Sequence, residues 1–261
     1  MTGTTTAGRA QLDKRTLRTD RWWLQPAMTA AVLFLFIVYG TWRAFEDAHY
    51  YRTPYLSPFY SPCLTDKCSS GTSDLGHWIP GWPLSPALLI LIFPLGFRLT
   101  CYYYRKAYYR AFWQSPPACA VAEPHARYSG ETRLPLILQN AHRYFLYIAV
   151  LFALLLSWDA IHAFRNATGE WGHAGLGTLI LLINAGLIWT YTLSCHSCRH
   201  IIGGRLKHFS AHPVRYRAWG LVSKLNGRHM QLAWASLIWL VVADFYIRSV
   251  ATGSISDPHF F

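Results

Sequence analysis

The chain has 261 residues, of which 52% are hydrophobic and only 14% are charged. Soluble domains carry about 25% charged residues, so this composition argues against that class and indicates a membrane protein. The formal net charge of +12 could indicate nucleic-acid binding, but the basic residues are grouped between apolar runs, which argues against that class too.

Five apolar runs predict an all-α membrane protein, a bundle of five transmembrane helices within residues 22–251. About 20 apolar residues are needed to cross the core of a bilayer. A polar tail, residues 1–21, precedes the bundle, and a short tail, residues 252–261, follows it. The predicted helices span residues 22–42, 83–112, 141–163, 174–200 and 229–250.

The distribution of Lys and Arg predicts how the bundle is oriented. Seventeen of them lie in residues 1–23, 102–141 and 199–228, against five in residues 43–83, 163–174 and 248–261. The positive-inside rule therefore places the N-terminus in the cytoplasm and the C-terminus outside. The polar start precedes a full-length span without a small-residue cleavage site, so we expect no cleaved signal peptide.

The longest loop, between the first two predicted helices, contains Cys63 and Cys68 on the predicted outer side. A four-residue gap there favours a disulfide, because that side is oxidising. A metal site is the alternative, although no histidine or acidic cluster accompanies the pair. Farther along, Arg98 lies inside the second predicted helix, where an unpaired cation costs about 3 kcal/mol, so it should have a partner or reach the surface.

Three ionisable residues lie near the predicted outer ends of helices, namely Asp159, His162 and Asp244. Such residues are costly inside a membrane and are functional candidates by default. We interpret them either as a proton relay towards a reducible substrate or as interface anchors.

Two cysteines and two histidines lie at one depth near the predicted cytoplasmic ends of four helices: Cys101, His142, Cys195 and His229. A single cysteine in a membrane helix is commonly a small packing residue. Four such residues at one level, however, predict a metal site. The alternative ligands are Cys198, which shares a helix face with Cys195, and the pair His196 and His200.

Three cofactors fit these residue types. Zinc accepts two cysteines and two histidines but is redox-inert. A b-type haem would use His142 and His229 and leave the cysteines as packing residues. A Rieske-type [2Fe-2S] cluster uses two cysteines on one iron and two histidines on the other, which accounts for all four residues. The usual soluble Rieske spacing, Cys-x-His followed by Cys-x-x-His, is absent.

The chain resembles the integral-membrane anchor of a succinate dehydrogenase, in its five-helix, single-chain form related to fumarate reductase cytochrome b. The resemblance depends on motifs between residues 97 and 229. These are FRLTCYYYRKAYYR at 97–110, SPPACAVAEPH at 115–125, YSGETR at 128–133, LQNAHR at 138–143 and CHS-x-RH at 195–200. The first two predicted helices contain no histidine, so two bis-histidine haems are not expected.

This resemblance implies a component of succinate:quinone oxidoreductase, respiratory complex II, in a bacterial plasma membrane. Such an anchor docks an iron-sulfur subunit and a flavoprotein on its cytoplasmic side and passes electrons from succinate to menaquinone or ubiquinone. It has no dehydrogenase chemistry of its own. The candidates for hydrogen bonds to the quinone are Tyr102, Arg105, His125 and Arg133. An anchor without any cofactor is the alternative, whereas a secondary transporter would need broken helices or repeats around a midplane polar site.

Overall fold

The computed structural model describes residues 18–68, 78–124, 135–166 and 168–260. Four helices in this part of the chain are long and apolar enough to cross a membrane. They are α1 (Leu24–Glu46), α5 (Pro135–His162), α6 (Leu176–Leu193) and α9 (His229–Ala251). The mostly helical architecture confirms the all-α part of the predicted fold class.

The second predicted helix, residues 83–112, is not continuous. It consists of α2 (Ala87–Ile90), α3 (Ile92–Thr100) and α4 (Tyr102–Ala111). Pro94 has no amide hydrogen for the Ile90 carbonyl, which accounts for the first interruption. At Cys101 the backbone is extended, and the chain bends by 77° between α3 and α4. Counted as one bent span, these helices would bring the candidate spans to five.

The fourth predicted helix, residues 174–200, is interrupted in the same way. The helix α6 ends at Leu193, Cys195 is extended, and a short helix α7 (His196–Gly203) follows. After it comes α8 (Pro213–Asn226), in a segment for which we predicted no helix. Pro213 occupies the first turn of α8, where its fixed backbone angle favours the start of a helix.

The main contacts within the bundle join α5 to α3 and α6, and α6 to α9. The helix α1 packs beside α2 and α4 and leaves most of its apolar side chains exposed, as a lipid-facing helix does. We call the end of the bundle that carries Cys101 and Cys195 the cysteine end, and the end that carries Cys63 and Cys68 the disulfide end.

A cap of loop residues covers the disulfide end. It contains a hairpin of β1 (Tyr51–Arg52) and β2 (Tyr55–Leu56), with Cys63 and Cys68 joined in a disulfide. Within the predicted outer tail, the Phe260 amide donates to the Ala174 carbonyl over 2.8 Å. The tail is therefore packed against the start of α6.

Asp257 in this tail holds the cap to the bundle. Its carboxylate accepts hydrogen bonds from the Tyr55 hydroxyl at 2.6 Å, from the Gly177 amide at 2.8 Å and from the Tyr246 hydroxyl. Burial, followed by the hydrogen bond to Asp257, raises the pKa of Tyr55 above its usual value. Tyr55 is therefore a neutral donor at ordinary pH.

Candidate functional site

The two interrupted helices each supply a buried cysteine at the cysteine end. Cys101 precedes the first turn of α4 and Cys195 precedes the first turn of α7, both with extended backbones. The Ser197 amide donates to Cys195 Sγ at 3.3 Å. The first amides of a helix are free and carry a partial positive charge, so each sulfur lies at the positive end of a helix.

Two histidines on other helices face these sulfurs. His142 of α5 has its Nε2 atom 2.9 Å from Cys195 Sγ. His229 of α9 has its Nε2 atom 3.4 Å from Cys101 Sγ. All four side chains are at most 7% exposed. The structure therefore brings the four predicted ligands together, as two cysteine–histidine pairs.

Aromatic rings hold the imidazoles in place. Phe97 stacks on His142 with centroids 4.7 Å apart, and Tyr191 stacks on His229 with centroids 5.2 Å apart. The Tyr191 hydroxyl belongs to the same buried cluster as Cys101 and has no hydrogen-bond partner among the described residues. A buried hydroxyl without an acceptor is costly, so this donor is suited to a sulfur ligand that carries negative charge.

Arg98 places a positive charge beside this layer. Its guanidinium donates to the Tyr104 hydroxyl at 2.6 Å and to Ser236 Oγ at 3.1 Å, and it lies 4.7 Å from the centre of the Tyr191 ring. It does not reach the surface, since it is only 8% exposed. No carboxylate among the described residues pairs with it. Its neutral partners therefore leave the charge uncompensated inside the bundle.

A cavity of about 550 Å³ opens beside the pairs and reaches Cys101, His142 and His229. Tyr102 and Arg105, two of the predicted quinone-binding residues, line it. The other two, His125 and Arg133, lie outside the described residues.

The alternative ligands all lie on α7. His196 and His200 line the cavity with ring centroids 5.6 Å apart, and Cys198 is half-buried. Burial, followed by the positive charges of neighbouring groups, lowers the pKa of His196. In the part of the chain that the structure describes, no three His, Cys, Asp or Glu side chains are grouped to hold a single metal ion. The four predicted ligands thus stand as two separate pairs.

The predicted proton-relay residues lie at the disulfide end. Asp244 receives hydrogen bonds from Arg43, with Nε–Oδ2 at 2.7 Å, and also from Tyr39 and Ser57. Asp159 accepts a hydrogen bond from Ser61 of the loop cap.

His162 is buried beside Trp158, and its Nδ1 atom has no hydrogen-bond partner among the described residues. Of the three predicted relay residues, Asp244 is the one paired with a cation, Arg43, and the sequence did not predict this ion pair.

Two kinds of residue escaped the sequence analysis. Thr100 and Ser194 contact the two histidines, and each immediately precedes one of the cysteines. The repeated pattern Leu-Thr-Cys and Leu-Ser-Cys was the signal that could have revealed them. Asn184, in the middle of α6, is buried with both polar atoms of its amide unpaired among the described residues.

Comparisons with known proteins agree with this architecture. Residues 24–253 match the family model described as actinobacterial succinate dehydrogenase subunit SdhC. A chain of the "Mycobacterium smegmatis Sdh1 complex in the apo form" is 56% identical, with a TM-score of 0.89, over 100% of this chain and 99% of that chain. No curated protein gives a significant match. The resemblance inferred from the sequence is thus confirmed, and the chain belongs to the actinobacterial SdhC family, the membrane-anchor subunit of a bacterial succinate dehydrogenase complex.

Proposed function

We propose that this anchor docks the iron-sulfur and flavoprotein subunits at its cysteine end, on the cytoplasmic side. It passes electrons from succinate to menaquinone or ubiquinone through a Rieske-type [2Fe-2S] cluster. The ligands are Cys101, Cys195, His142 and His229. One observation carries the proposal. Two buried pairs, Cys101 with His229 and Cys195 with His142, lie beside a cavity at one end of the bundle.

The residues present fit such a cluster. Each iron takes two protein ligands, so two cysteines and two histidines complete the set. The helix amides, the unpaired Tyr191 hydroxyl and the Arg98 guanidinium all place positive charge or hydrogen-bond donors where sulfur would carry negative charge. When bound, the cluster supplies one-electron transfer between the partner subunits and the quinone.

The rival cofactors fit less well. A b-type haem on His142 and His229 would leave Cys101 and Cys195 as packing residues, although each sulfur lies against an imidazole Nε2 atom. In a cofactor-free anchor, the buried Arg98 charge and the buried Tyr191 hydroxyl would have no negatively charged group to stabilise.

The cavity beside the pairs is the proposed quinone site. Tyr102 and Arg105 can donate hydrogen bonds to the carbonyl oxygens of a quinone, and the tyrosine rings that line the cavity offer an apolar wall. The Arg105 Nε atom is buried without a partner among the described residues. His125 and Arg133 remain candidates from the sequence.

The decisive experiment is Cys195→Ser in the purified complex. We expect loss of the reduced Rieske-type signal in electron paramagnetic resonance, with the flavin and the partner clusters retained. Cys198→Ser is the matched control, since Cys198 lies three residues away but makes no hydrogen bond to a histidine among the described residues. Full iron content and an unaltered spectrum in Cys195→Ser would refute the cluster. If His142→Ala and His229→Ala instead abolish a visible haem band, the haem is the correct cofactor.

Arg98→Gln tests the electrostatic part of the proposal. A nearby positive charge favours the reduced, more negative cluster, so its removal should lower the midpoint potential. Redox titration of the Rieske-type signal measures the change. An unchanged potential would show that Arg98 acts only in packing.

The proposed orientation is tested by labelling a cysteine at His212, which is exposed in the segment between α7 and α8. A Cys119→Ser background removes an exposed native thiol. Sealed vesicles of known sidedness should label the new thiol from the cytoplasmic side. Labelling only from the outside would show that the chain has the opposite orientation.

A further inference from the structure

We propose that Thr100 and Ser194 are a pair of positioning residues that hold His142 and His229 in the tautomer with the proton on Nδ1. Each histidine then presents an unprotonated Nε2 atom at the ligand position. The inference rests on the proposed cluster for its purpose, but the tautomer itself depends only on the contacts of this chain.

The contacts are the same at both histidines. Thr100 Oγ1 lies 2.9 Å from His142 Nδ1, and Ser194 Oγ lies 2.7 Å from His229 Nδ1. On the opposite edge of each ring, Nε2 faces a cysteine sulfur. Each imidazole is therefore held between a hydroxyl and a sulfur.

The direction of the hydrogen bond at Ser194 follows from the end of α6. The Cys195 amide bonds to the Thr192 carbonyl at 3.2 Å, so it does not continue the helical pattern to the Tyr191 carbonyl. Ser194 Oγ lies 2.8 Å from that Tyr191 oxygen and satisfies it. A carbonyl only accepts, and a hydroxyl has a single hydrogen. Ser194 therefore donates to the carbonyl, and His229 Nδ1 must donate to Ser194.

The end of α3 repeats this arrangement. The Cys101 amide bonds to the Arg98 carbonyl at 3.1 Å, which leaves the Phe97 carbonyl without its helical donor. Thr100 Oγ1 lies 2.8 Å from the Gly96 oxygen and 3.4 Å from the Phe97 oxygen. Its hydrogen is therefore taken by carbonyls, and His142 Nδ1 is the donor to Thr100.

A neutral imidazole carries one ring proton, so a proton fixed on Nδ1 leaves the Nε2 lone pair free. Metal ligands require an unprotonated nitrogen, and the partner of the other ring nitrogen commonly selects it. In this chain two hydroxyls make that selection.

The pairing is crossed between the two helix ends. Thr100 holds the histidine that faces Cys195, and Ser194 holds the histidine that faces Cys101. Each interruption thus delivers a cysteine for one pair and a hydroxyl for the other. A displacement of either helix end would disturb both pairs.

The tautomer can be tested without the cluster. In the complete complex carrying Cys195→Ser, with ¹⁵N-labelled histidine, we expect nitrogen chemical shifts of a protonated Nδ1 and a bare Nε2 for His142 and His229. Each signal is assigned by its loss in the corresponding His→Ala variant. A protonated Nε2 at both histidines would overturn the inference, whatever the cofactor is.

The role of the two hydroxyls in positioning the ligands is tested by Thr100→Val and Ser194→Ala in the complete complex. Thr100→Ser and Ser194→Thr are matched controls that keep the hydroxyl. Loss of such an outer hydrogen bond lowers metal affinity about 10- to 100-fold. We therefore expect faster iron loss to a chelator and shifted g values in Thr100→Val and Ser194→Ala, with restoration in the controls. The flavin and partner-cluster signals report that each complex has assembled.

Unchanged g values and iron retention in both hydroxyl-free variants would refute the positioning role. A parent complex without any Rieske-type signal would instead refute the proposed cluster and its ligand-positioning purpose, while the nitrogen shifts still decide the tautomer.

Discussion

The buried ion pair between Arg43 and Asp244 at the disulfide end allows a quantitative prediction. Both side chains are 0% exposed, and Arg43 Nε lies 2.7 Å from Asp244 Oδ2. Asp244→Asn removes the negative charge and leaves the Arg43 charge poorly compensated. Breaking a buried pair in this way costs about 3–5 kcal/mol. Since Glu46 also contacts Arg43, the lower part of that range is the better expectation.

The control is Asp47, which directly follows α1 at the same end of the bundle. Asp47 and Lys67 are also 2.7 Å apart, but their side chains are 28% and 35% exposed. An exposed pair contributes about 0–1 kcal/mol. Asp47→Asn should therefore change the stability little, although the charge removed and the distance are the same.

Thermal unfolding of the purified complex, followed by intrinsic tryptophan fluorescence, measures the difference. For a chain of this size, 1 kcal/mol corresponds to about 2–4 °C in Tm. We expect Asp244→Asn to lower the Tm of the anchor by at least about 6 °C, and Asp47→Asn by less than about 4 °C. Equal shifts in the two variants would refute the argument from burial.

The double variant Arg43→Met with Asp244→Leu separates stability from function. It removes both charges and should recover the part of the loss that comes from the unpaired Arg43 charge, while the Tyr39 and Ser57 hydroxyls lose their acceptor. Glu46 keeps Arg248 as a partner at 2.7 Å, so no carboxylate is left unpaired. If Asp244 also relays protons, the double variant should be stable but slow in quinone reduction; normal turnover would assign Asp244 to structure alone.

Three further predictions concern other buried positions. If Asp159 relays protons, Asp159→Asn should slow turnover driven by the membrane potential; unchanged turnover and potential dependence would leave it an anchor for Ser61. Asn184→Leu should leave Tm unchanged or raise it, because no hydrogen bond among the described residues is lost, and a fall in Tm would reveal a partner. Gly177→Ala should lower the stability by about 1–3 kcal/mol, since a Cβ atom there would lie 2.7–3.0 Å from the Tyr55 ring. The control Gly186→Ala, with no atom within 4 Å of the added Cβ, should stabilise α6 by up to about 1 kcal/mol, and equal effects would contradict the packing argument.

The amino-acid sequence by itself determined which segments are apolar enough to cross a membrane and that Cys101, His142, Cys195 and His229 lie near one depth. Depth follows from rise per residue along a helix, which is a local property. The family motifs were equally local, and the comparisons confirm the family they indicated.

Only the tertiary structure decided which histidine faces which cysteine, because that depends on how distant helices rotate and pack. The helix interruptions at Cys101 and Cys195 were also hidden, since Cys and the residues around it are compatible with a helix. For the same reason the sequence could not pair Arg43 with Asp244, which are separated by 201 residues. Burial makes such pairings energetically decisive, and burial is created by the fold rather than by any single segment.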